Sequence, residues 1–138
     1  QWANFSVFAW SPLAMGMLTG RYSNISPEKY NTPRFNRGGI YADRITQKAV
    51  SVSDKFVALA KEYQIEPAHL AMIWVKDQPG ITAPLAGPRT LDQMKDIIPL
   101  MEKEISEELK EACDKLVPPG SAVANFLNSA PWMKGKLL

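Results

Sequence analysis

The sequence predicts an α/β fold built on parallel strands. Two short apolar runs, FSVFAW at 5–10 and ITAPLA at 81–86, have strand composition and turn residues at their borders. Between them lie segments of helical period, which supply the crossover that parallel pairing needs. A capped helix start follows the second run, so strand and helix alternate along the chain.

The near-continuous apolar character of 5–10 suits a strand buried on both faces. Ser11-Pro12 ends it, and the stretch to Tyr22, with Gly16 and Gly20, reads as a shaped loop. Ser23 to Gly39 holds Pro27, Pro33 and Gly38-Gly39 and little periodicity, which predicts a long irregular loop. Val52, Phe56, Leu59, Ala60 and Tyr63 recur at three and four, predicting a helix over 42–63. The next helix starts at Glu66-Pro67, where a proline at the first helical position loses no bond. It carries Leu70, Ile73 and Trp74 on one stripe and stops near Pro79-Gly80. Pro84 weakens the second strand, because proline removes a ladder donor. Thr90 with Gln93 three residues on is a capping-box pattern, opening a helix to about Met101. Ser106-Glu107-Glu108 opens a last helix through Leu116, stopped by Pro118-Pro119-Gly120. The tail 120–138 reads as irregular.

With 138 residues, 46% hydrophobic and 22% charged, the composition is that of a globular domain. No apolar run reaches the roughly 20 residues a membrane helix needs. A net charge of +2 from 16 basic and 14 acidic side chains is too balanced to predict a nucleic-acid partner. One cysteine, Cys113, excludes an internal disulfide and points to the cytoplasm. One histidine, His69, excludes a metal site of several His and Cys ligands. The chain opens at Gln1 and enters a strand almost at once, and two strands make no sheet that hides two apolar faces. The expectation is therefore a partial single domain over 1–138, the C-terminal piece of something larger.

Two places could carry chemistry. At 86–93 an apolar strand runs into Gly87, then Arg89, then a capped helix start. Helix N–H groups and a guanidinium fork suit a phosphate. The same pattern also describes a plain strand-to-helix turn with an exposed arginine. At 10–21 a strand end with Trp10, Ser11, two glycines and Arg21 could line a cofactor, or be a proline-shaped loop around a core tryptophan. His69 reads as a surface or half-buried histidine, since no carboxylate stands at a spacing that would orient it. Cys113 reads as a packing residue, 102–115 as a solvated helix face, and Met15, Met17, Met72, Met94 and Met101 as gap-fillers.

The stretch WSPLAMGMLTGRY at 10–22 resembles the seventh-strand motif of the aldo-keto reductase superfamily. ITAPLAGPRTLDQ at 81–93 is similar to its eighth-strand motif, and HLAMIWV at 69–75 to the helix before that strand. The two motifs stand in family order and spacing, and the resemblance covers most of 1–125. It is nearest to the bacterial and potassium-channel β-subunit-like branches. It implies the C-terminal portion of a (β/α)8 TIM barrel that reduces aldehydes and ketones with NADPH. Trp10 would then lie near the nicotinamide, with Ser11, Leu13 and Arg21 toward the pyrophosphate. Arg34 would contact the cofactor from a loop that closes over it like a strap. Gly87 and Arg89 would hold the 2′-phosphate, and Gln93 and Asp96 would face the adenosine end. These loops coincide with the phosphate site such barrels place after strands seven and eight.

Ile97 departs from the pattern, where an asparagine usually binds adenine, and so does Glu66, where a hydroxyl is common. The family's catalytic Asp, Tyr, Lys and His belong to earlier strands. None maps onto this chain, and Tyr22, Lys29, Tyr30 and His69 do not align with those roles. The implied partner is a small-molecule carbonyl substrate of the complete barrel, with an oligomer left open. The alternatives are a non-catalytic nucleotide-sensing module and an inactive truncated fragment.

Overall fold

A computed structural model describes residues 5–23 and 45–123 of the chain. Among them, β1 (Phe8–Ala9) pairs in parallel with β2 (Ala83–Pro84), with Phe8 opposite Ala83 and Ala9 opposite Pro84. The parallel pairing agrees with the sequence, but the paired segments are shorter than the apolar runs that announce them. Pro84 is tolerated because it stands between the donors of its strand. The N–H groups of Ala83 and Leu85 reach the carbonyls of Val7 and Ala9 at 3.4 and 2.8 Å, so the ladder asks nothing of residue 84. Thr82 adds its hydroxyl, which accepts from the Val7 N–H at 2.9 Å. Burial on both faces is not found. Phe5, Phe8 and Trp10 are 76%, 57% and 59% exposed, because one strand pair offers nothing to cover them.

After β1 a 3-10 segment (Ala14–Thr19) shapes the loop. Helix α1 (Gln47–Glu62) starts where the Thr46 hydroxyl accepts from the Ala49 N–H at 3.1 Å. Positions 42–44 of the predicted helix lie outside the described residues, as do most of the 23–39 loop and the tail beyond 123. Helix α2 (Pro67–Lys76) has Pro67 at its first turn as predicted. It is the central helix, packing on α1, on β2 and on the 3-10 segment. Leu70, Ala71, Met72 and Ile73 are all buried.

Helix α3 (Leu91–Ile97) is capped by Thr90 but does not run unbroken to Met101. The backbone tightens to a 3-10 segment over Ile98–Glu102, because Pro99 lacks an N–H and its ring clashes with a carbonyl one turn back. Helix α4 (Glu107–Leu116) starts at Ser106, whose hydroxyl accepts from the Leu109 N–H at 3.2 Å. It turns Leu109 and Cys113 inward and keeps most of its charges outward, as expected.

The main core joins Phe56 and Ala60 of α1, the buried face of α2, Leu100, Ile105, and Leu109 and Cys113 of α4. Trp74 Nε1 donates to Asp114 Oδ1 at 3.3 Å and ties α2 to α4. A smaller cluster holds Met17, Ala49 and Val50, and the buried Ser53 hydroxyl donates to the Met17 carbonyl. Of the expected gap-filling methionines, Met17 and Met72 are buried, whereas Met94 and Met101 are exposed.

Cys113 is the packing residue the sequence suggested, and burial pushes its thiol up to about 11 from an ordinary 9.0. At pH 8 the folded chain should resist iodoacetamide and react fast once urea unfolds it; fast labelling of folded protein would contradict this placement. The unfolded thiol gives up its proton first, so Cys113 lowers stability as pH climbs from 9 toward 11.

Candidate functional site

The C-terminal ends of β1 and β2 lie side by side and feed two loops that face one another. The first loop is tightly wound. Ser11, Ala14 and Met15 take φ of 60°, 46° and 61°, next to Gly16 and Gly20 at 84° and 77°. Left-handed backbone costs a non-glycine residue roughly 1–2 kcal/mol, so the loop holds strain that its neighbours must offset. Hydrogen bonds from the Ala14 N–H to Ser11 O and the Gly16 N–H to Leu13 O, both 2.9 Å, close the turns. The Arg21 side chain folds back over Gly16, with Nη1 3.9 Å from where a Cβ would stand.

The second loop leads from β2 through Gly87 to Arg89 and α3. Thr90 Oγ1 accepts from the Gln93 N–H at 3.2 Å, as the capping box requires. The return bond differs from the box: Gln93 Oε1 accepts from the Arg89 N–H at 2.7 Å. Arg89 is thus pinned to the helix by its backbone, leaving its guanidinium free of that task. A Cβ at Gly87 would meet no atom within 4 Å, so the space before that backbone is open to a ligand.

Between the loops is a cavity of about 530 Å3. Trp10, Ser11, Leu13 and Arg21 line one side, and Gly87, Arg89, Gln93 and Asp96 the other. Every described residue that the sequence singled out for a cofactor is on this wall; Arg34 lies outside the described residues. Trp10 is exposed on this wall among the described residues. Met72, Ile97 and Leu100 add apolar surface. The combination of two guanidiniums, a hydroxyl, an aromatic ring and an apolar floor suits an anionic ligand with a flat ring system. With seven residues, α3 adds only a short dipole, so the positive charge at this wall comes chiefly from Arg21 and Arg89.

Sequence reasoning missed one member. His69 of α2 also lines the cavity, and its Nε2 stands 2.8 Å from Asp96 Oδ2. His69 is half-buried, within the surface or half-buried reading of the sequence, and it has a carboxylate partner that the sequence did not point to. Its partner is on another helix, 27 residues away, and no local spacing announces it. A second hollow of about 390 Å3, lined by Phe56, Trp74, Leu116 and the 118–121 turn, is mainly apolar and holds none of the nominated residues. Among the described residues no helix is long and apolar enough to cross a membrane.

The aldo/keto reductase family profile matches residues 1–118. The chain belongs to the aldo/keto reductase family. Protein tas of Escherichia coli (strain K12) is 34% identical over 110 residues, covering 79% of this aldo-keto reductase chain and 31% of tas. The uncharacterized oxidoreductase YrpG of Bacillus subtilis (strain 168) is 34% identical over 115 residues, covering 83% of the chain and 33% of YrpG. The NADP(+) aldo-keto reductase yakc of Schizosaccharomyces pombe is 24% identical over 148 residues, covering 95% of the chain and 41% of yakc. The chain spans about a third of the length of tas and YrpG, at 31% and 33%.

Proposed function

We propose that this chain is the NADPH-holding C-terminal part of a (β/α)8 aldo-keto reductase barrel. The observation that carries the reading is the single cavity on which both nominated loops converge, with Arg21 and Arg89 on its wall. Gly87 and Arg89 hold the 2′-phosphate of the adenosine. Ser11, Leu13 and Arg21 serve the pyrophosphate, and Trp10 lies against the nicotinamide. Gln93 and Asp96 face the adenosine end, where Ile97 offers dispersion in place of a polar group. Arg34, outside the described residues, is assigned to the same cofactor. The bound cofactor supplies a hydride to the carbonyl carbon of an aldehyde or ketone. This chain contributes position and charge, and the proton-donating residues belong to the upstream strands of the parent.

The exposed apolar surface supports a partial barrel. Leu91, Met94, Ile98 and Met101 recur at three and four along α3 and its 3-10 continuation, and they are 68%, 44%, 58% and 42% exposed. Phe5, Phe8 and Leu85 are exposed as well, and exposed apolar side chains of this number are of the kind that drives association. Light scattering should accordingly find the isolated chain self-associated. The pair Leu91→Glu and Ile98→Glu should reduce that association with helicity retained. A monodisperse wild-type monomer would contradict the partial-barrel reading.

NADPH fluorescence titration against NADH tests the cofactor assignment. Tighter binding of NADPH is expected; indifference to the 2′-phosphate would sink the placement at Arg89.

A further inference from the structure

Helix α3 is poorly held by packing. None of its residues is buried, and its close contacts are chiefly with the 3-10 segment that continues it. Its far end is pegged through half-buried Ile97 and then Leu100, at 1% exposure. Its first turns, however, bear the part that matters for the cavity, because Gln93 fixes the Arg89 backbone. Apolar burial does not set where those turns stand.

Among the described residues, a side-chain bond reaches α3 from α2, and it comes from His69. Its Nε2 donates to Asp96 Oδ2 at 2.8 Å. His69 is rooted in α2, directly before Leu70, Ala71, Met72 and Ile73, which are 0%, 1%, 2% and 3% exposed. It therefore links a helix with four buried residues to one with none.

We propose that His69 is a positioning residue, whose bond to Asp96 clamps α3 onto α2 and sets where Arg89 stands across the cavity from Arg21. The bond has a second effect. The Asp96 side chain is 60% exposed on the wall of a cavity lined by two arginines, and an unengaged carboxylate there would repel an anion. His69 engages one of its oxygens, which holds the carboxylate toward α2. The functional half of this proposal rests on the reading that the cavity holds the cofactor phosphates; the clamp itself does not.

The test compares His69→Ala with His69→Gln, which keeps an N–H donor without the ring. Two measurements are made on the full chain: amide hydrogen exchange in α3 without ligand, and NADPH affinity by fluorescence. His69→Ala should speed exchange over 91–97 and weaken NADPH about threefold to tenfold, the worth of one net hydrogen bond. His69→Gln should bring both back toward wild type. Unchanged exchange in His69→Ala would overturn the clamp, as would a glutamine variant as impaired as the alanine one. Faster exchange with unaltered affinity would overturn the positioning role. If the wild-type chain binds no NADPH, the phosphate reading fails, and exchange alone still decides the clamp.

Discussion

Replacing Arg89 with alanine is expected to weaken NADPH binding by about tenfold to a hundredfold while leaving NADH nearly unaffected, the range for a hydrogen-bonded charge pair. The substitution isolates the guanidinium. Arg89 is exposed, and its tie to the helix runs through its own N–H to Gln93, which alanine keeps. The cap at Thr90 is untouched, so α3 should form as before. Arg89→Lys should fall between the two, because an ammonium keeps the charge and loses the planar fork. Fluorescence titration of both dinucleotides reads the outcome. Equal losses for NADPH and NADH would contradict a 2′-phosphate contact.

Leu100→Ala is expected to cost a large share of the stability. Leu100 is 1% exposed in the main core and also floors the cavity. Deleting such a side chain costs about 2–5 kcal/mol, from lost burial and the hole left behind. Against the roughly 5–15 kcal/mol of a typical domain, that is a large share. Urea unfolding should show a clear drop in midpoint, and α3 should loosen with the loss of its peg. A change below about 1 kcal/mol would mean that the segment after α3 is not anchored through this residue.

The local chemistry of this chain was legible in its sequence. Pro67, Thr90 and Ser106 mark three helix starts, because a cap or a first-turn proline acts within a few residues. Pro99 carried a signal that the periodicity of 90–101 obscured, and it sets the switch to 3-10 geometry. The two candidate loops were also legible, since Gly16, Gly20, Gly87 and the arginines stand in short motifs. Long-range geometry was not. The His69–Asp96 contact depends on how α2 and α3 approach, and the Ser53 hydroxyl finds the Met17 carbonyl 36 residues earlier. The left-handed backbone at Ser11, Ala14 and Met15 was equally silent, because residues without glycine's freedom adopt it only under tertiary constraint. Strand length failed for a related reason: pairing depends on neighbours, and composition at 5–10 and 81–86 records only the propensity.

The central claim is that one cavity between the two strand-end loops holds the phosphates of NADPH. The most direct test is a titration of the chain with 2′,5′-ADP, followed residue by residue through backbone amide shifts. The account predicts shifts concentrated at 11–21 and 87–96, including Gly16, Gly87 and Arg89, with the apolar hollow around Leu116 silent. Shifts centred on that hollow, or none at saturating ligand, would contradict it.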